Sequence, residues 1–156
     1  MTALLALALA LAPSAEAKPL PKHGITLDDV DGFAHAVGLA TERVTFDDGQ
    51  TVVRITMGDS RVDAYLLLCD DAGRCGDLQF VMGWSLSDEG MPTLERVNEW
   101  NAKHRYVRAS LGPENTLWGK VDVSLRPGGS RELVLDYMRF VGTDLVPAFN
   151  TWFGLP

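Results

Sequence analysis

The sequence predicts an α+β fold with the element order α-β-β-β-β-α-β-β-α, helices flanking an antiparallel sheet. Three observations carry this expectation. Apolar residues recur at helical spacing after Thr26 and again after Ser130; between them, short runs alternate apolar and polar residues; and tight-turn signals such as Asp48-Gly49 separate those runs.

The chain opens with an unbroken Leu/Ala run from Ala3 to Ala12, then Pro13 and the small-x-small triplet Ala15, Glu16, Ala17. This is the apolar region and cleavage site of a secretory signal peptide, although Thr2 stands where a basic residue is usual. The run is too short to span a bilayer, which takes about 18 to 20 apolar residues. The expected organisation is a signal peptide at 1–17, a leader at 18–24 and one domain at 25–156, in a periplasmic or secreted protein with no membrane span after cleavage.

Each element then has its own reason. In "ITLDDVDGFAHAVGL", Thr26 can cap a helix whose first turn carries Asp28 and Asp29, with Val30, Phe33, Ala34 and Val37 on one face and Gly38 to end it. "ERVTFDDGQTVVRITMG" reads as two strands around an Asp-Asp-Gly-Gln turn. "RVDAYLLLC" alternates Val62, Ala64, Leu66 and Leu68, and "DLQFVMGW" places Leu78, Phe80, Met82 and Trp84 on one face, which completes a meander.

Cys69 and Cys75 end the turn "CDDAGRC" between the last two strands. In an oxidising compartment the pair reads as a disulfide that staples the turn. Closing about seven residues is worth roughly 2 to 2.5 kcal/mol on the chain-entropy account. A redox-active pair would need the C-x-x-C spacing at a helix start, and this pair lacks it.

The period changes in "SDEGMPTLERVNEWNAKH", where Pro92 stands near a helix start and Leu94, Val97 and either Trp100 or Asn101 share a face. "RYVRASL" and "TLWGKVDVSL" follow as strands around "GPEN", the second with Leu117, Val121, Val123 and Leu125 in register. The last helix, "SRELVLDYMRFVGTDLVPAFNTWF", starts at the cap Ser130 and repeats Leu133, Val134, Tyr137, Met138, Val141, Leu145 and Phe149, with Gly142 and Pro147 placed to bend it.

Chemistry-bearing patterns are scarce. With a formal net charge of -7 and no Lys/Arg cluster along the chain, nucleic acid and anionic lipid are disfavoured as partners. His23, His35 and His104 have no metal-ligand spacing, no G-x-S-x-G elbow is present, and the Asp pairs fall at helix starts and turns where carboxylates cap backbone donors. The Gly-Gly-Ser before the last helix is a hairpin-to-helix turn with a cap rather than a phosphate cradle. No catalytic, cofactor or metal site is expected.

One segment, "RVNEWNAKHRYVRASL", changes at once from helix to strand. Trp100 there can cover apolar sheet surface while Asn98 and Asn101 bond backbone groups where the helix ends, so the segment reads as a structural joint. The functional alternative has Asn98, Asn101 and Arg105 lining a groove for a peptide or small ligand. Trp118 is assigned to neither core nor contact surface.

The run "VNEWNAKHRYVRASLGPENTLWGKVDVSL" followed by "LVLDYMRFVGTDLVPAF" resembles the YbjN family, described as bacterial sensory transduction regulators. Its features are a helix ending in N-E-W-N, a strand with Tyr106 and Ala109, a second strand ending in an apolar run, and a final helix whose Phe140 and Phe149 enter the core. The resemblance spans about residues 24 to 153 and implies a fold like that of type III secretion chaperones, three helices on an antiparallel sheet, without enzymatic activity. It also implies binding of a protein or peptide partner and homodimerisation. The function expected is an exported, non-enzymatic partner-binding domain. The alternatives are a small-ligand binder or enzyme, built where Trp84, Trp100 or Trp118 meets Asn98, Asn101 and a carboxylate, and a structural envelope protein.

Overall fold

The computed structural model describes residues 20, 24–126 and 128–155. The expected signal peptide and most of the leader, His23 included, lie outside the described residues.

Helix α1 (Leu27–Ala36) is followed by strands β1 (Ala40–Thr45), β2 (Thr51–Met57), β3 (Ser60–Cys69) and β4 (Cys75–Ser85). A single 3-10 turn (Asp88–Gly90) precedes helix α2 (Leu94–Lys103), then come β5 (Arg108–Gly112) and β6 (Thr116–Ser124). The chain closes with α3 (Arg131–Phe140), a π turn (Val141–Leu145) and α4 (Val146–Phe153), whose junctions stay right-handed helical, so that the three form one continuous third helix. The π turn has a local cause. Pro147 has no N–H for the Thr143 carbonyl, and the ladder widens so that Val146 bonds back to Val141.

All six strands are antiparallel in the order β1-β2-β3-β4-β6-β5. The returning hairpin therefore inserts β6 beside β4 and leaves β5 and β1 as the two edges. Alternation puts Val53, Ile55, Val62, Ala64, Phe80 and Val121 on the helix-covered face, each fully buried or nearly so, and burying each large aliphatic or aromatic side chain contributes about 1.5–3 kcal/mol. The caps expected at Thr26 and Ser130 are both present: Thr26 and Asp29 form a reciprocal capping box, and the Ser130 hydroxyl accepts from the Leu133 N–H.

The lead-in to α1 is held by the cysteine turn. Ile25 pairs with Cys75 through two backbone hydrogen bonds of 3.0 and 2.8 Å, and Cys75 is disulfide-bonded to its cross-strand partner Cys69. Gly24 has a φ of +87°, and a Cβ there would lie 2.0 Å from the Cys75 carbonyl oxygen, so only glycine fits.

Three expectations about individual side chains are corrected. Leu68 leaves the alternation: at a φ of +55° its side chain turns to solvent. Leu94, the first residue of α2, is exposed, and the helix buries Val97 and Trp100 instead. Finally, the apolar stripe of the last helix is too wide for one buried face. Val134, Met138, Val141, Leu145 and Phe149 enter the core, whereas Leu133 is exposed and Tyr137 and Phe140 are half-buried.

Candidate functional site

The segment around Trp100 ties the end of α2 to β5. Its indole is fully buried, touches Phe149 edge-on at 5.1 Å and donates from Nε1 to the Val107 carbonyl at 3.2 Å. Asn101 grips β5 with both ends of its amide, donating to the Ala109 carbonyl at 3.0 Å and accepting from the Ala109 N–H at 2.8 Å. These bonds occupy outward-facing backbone groups of an edge strand, which would otherwise invite another strand. Asn98 does not take part: it is exposed, and its side chain makes no hydrogen bond among the described residues.

Past Lys103 the chain is turned by His104, whose ring stacks on Trp100 at 3.5 Å and whose Nδ1 donates to the Trp100 carbonyl. Burial of Val107 then forces Tyr106 outward, where it is 54% exposed and meets the edge of Phe140 at 5.3 Å. Leu133, Tyr137 and Phe140, spaced along one outer stripe of α3, form the other wall. Together they enclose an open groove of about 320 Å³ with Asp136 at its rim. Phe140, expected in the core, is a groove residue, since the core side of that turn is already filled by Met138 and Val141.

A second hollow, of about 490 Å³, begins on the other side of Tyr106 and is lined by His104, Arg105, Arg108, Lys120 and Asp122. Arg105, proposed from sequence as groove-lining, is therefore at the surface beside the joint. The cations come from a loop, β5 and β6, which is why no cluster shows along the chain.

Trp118 lies on the sheet face away from the helices. Its ring rests on two glycines, since a Cβ on Gly83 or Gly112 would fall within 2.5 Å of it, and it borders a depression of about 370 Å³ with Arg61, Tyr65 and Thr116. Trp84 stacks on Phe149 at 5.2 Å on the opposite, helix-covered side. Of the three tryptophans, Trp100 is the one that lies beside Asn101, both of them bonded to the Val107–Ala109 backbone. Among the described residues no group of three or more His, Cys, Asp or Glu side chains could hold a metal ion, and no helix is long and apolar enough to cross a membrane.

Sequence reasoning missed Trp152. It clasps α4 to α2: the Arg96 guanidinium donates to the Trp152 carbonyl at 2.6 Å and lies 4.5 Å from the ring centre, while the indole Nε1 donates back to the Arg96 carbonyl at 3.4 Å. Nothing in the spacing of Arg96 and Trp152 signals this pairing.

Helices on one face of a six-stranded antiparallel sheet make this an α+β domain, with an open apolar groove beside the edge strand β5. The type III secretion chaperone SycH of Yersinia pestis, solved in complex with a stable fragment of YscM2, has this fold: the TM-score is 0.50 at 14% identity, over 83% of this chain and 98% of that one. The chain belongs to the YbjN family, described as "Putative bacterial sensory transduction regulator", which matches residues 26–152. No curated protein matches it.

Proposed function

We propose that the chain is an exported, non-enzymatic YbjN domain that binds a protein or peptide partner. The observation that carries this is the open groove of Tyr106, Leu133, Tyr137 and Phe140, where aromatic and aliphatic side chains stand uncovered in the arrangement that seats a partner's apolar residues. The fold shared with SycH, a chaperone crystallised with a fragment of another protein, supports the same reading. Export is supported by the apolar run Ala3–Ala12 with its Ala15-Glu16-Ala17 triplet and by the Cys69–Cys75 disulfide, which suits an oxidising compartment.

The test is crosslinking in cells that produce the full chain, followed by affinity capture and intact-mass analysis. A specific envelope protein is expected with the wild type and with Leu94→Asp, and is expected to disappear with Leu133→Asp, all three giving the same circular dichroism. Equal recovery with Leu133→Asp would overturn the groove assignment. Exported protein is expected to lack residues 1–17; a full-length mass in the envelope fraction would overturn cleavage after Ala17.

A small-ligand reading is favoured by one observation, the Trp118 ring held flat on Gly83 and Gly112 above an open depression. Trp118→Ala separates the two. Loss of capture with this variant but not with Leu133→Asp moves the site to the sheet face.

A further inference from the structure

The groove and the neighbouring hollow share Tyr106 and so adjoin across its ring. Their chemistry differs. The groove offers apolar surface; the hollow brings Arg105, Arg108 and Lys120 together against one carboxylate, Asp122, in a chain whose net charge is -7. Arg108 reaches Asp122 at 3.4 Å, and Asp122 also accepts from Gln79. Arg105 has no ion-pair partner among the described residues, and the ammonium of Lys120 lies only over the Trp118 ring, at 6.0 Å. An acidic chain repels acidic partners over most of its surface, so a local cationic excess beside an apolar groove selects and orients them.

Strand addition is obstructed at this end of β5, because Trp100 holds the Val107 carbonyl and Asn101 holds both outward backbone groups of Ala109. Recognition there therefore runs through side chains. Resting on the partner-binding reading above, we infer that the occupant is a protein segment with apolar side chains that seat against Tyr106, Leu133, Tyr137 and Phe140, followed by carboxylates that meet Arg105, Arg108 and Lys120.

The test uses three labelled synthetic peptides with one Leu/Phe core, flanked by Glu, by Lys or by Gln, titrated by fluorescence anisotropy into the exported protein. The Glu-flanked peptide is expected to bind about tenfold tighter than the Lys-flanked one in dilute salt, with the gap shrinking severalfold as salt is raised. Arg105→Glu combined with Lys120→Glu is expected to erase that preference while leaving the Gln-flanked peptide unchanged. Leu133→Asp weakens all three.

Equal binding of the three peptides, or preference for the Lys-flanked one, would overturn the acidic assignment and leave the partner reading standing on its capture experiment. Binding of none overturns the inference. So does a dimer in sedimentation velocity that Leu133→Asp dissociates, since the groove is then covered by a second copy.

Discussion

Asn101 shows how much a single amide can decide. Its two hydrogen bonds to Ala109 satisfy a donor and an acceptor of a residue that is only 3% exposed. Asn101→Ala strands both groups and is expected to cost about 2 kcal/mol. Asn101→Asp, which keeps the acceptor but loses the donor, is expected to fall between wild type and Ala, and urea denaturation midpoints check the order. The need for such bonds was legible from the sequence, because a helix that gives way at once to a strand leaves backbone groups in want of partners. Its neighbour Asn98 shares the helix face by spacing yet stays in solvent, since β5 passes only the last turn of α2. Spacing gives the face of a helix; it does not say how far along that face the next element runs.

At the scale of elements, α1 is fastened to β1 by ion pairs rather than by packing alone. Arg43 donates to both Asp31 and Asp28 at 2.8 Å. Burial pushes the Asp31 carboxyl up, but the Thr41 hydroxyl and the Arg43 guanidinium outweigh it and hold its pKa below the ordinary aspartate value. A carboxylate lowered in the folded state stabilises above its unfolded pKa of about 3.9, and that contribution is lost as pH falls through the folded value. Wild type is therefore expected to lose more stability between neutral pH and about pH 3 than Asp31→Asn does, as read from urea midpoints at each pH. The strands were legible from alternation and turn residues. Their spatial order was not, because the pairing of β6 with β4 joins segments about forty residues apart, and only the assembled sheet brings them into register.

For the molecule as a whole, the disulfide ties more than its own turn. Cys75 also receives the lead-in through Ile25, so the staple stands where the N-terminal strand of contacts meets the β3–β4 hairpin. Reduction with alkylation is expected to lower stability by about 2 kcal/mol, or roughly 8 °C in Tm for a domain of this size. A calorimetric scan of both forms checks this; an unchanged Tm would confine the staple's effect to its turn. The pairing was legible because two cysteines bounded one turn. The groove was not: Leu133, Tyr137 and Phe140 carry the same apolar signature as core residues, and only the supply of sheet surface decides which of them is covered.

The clasp between Arg96 and Trp152 bears on how the molecule can be handled. A purification tag joined beyond Leu155 would sit within a turn of that clasp and at the edge where α2 meets α4. The Phe46–Gln50 turn, by contrast, joins β1 to β2 at the far margin of the sheet from β5. An epitope inserted there offers a handle for immobilisation that leaves both the clasp and the groove in their native surroundings.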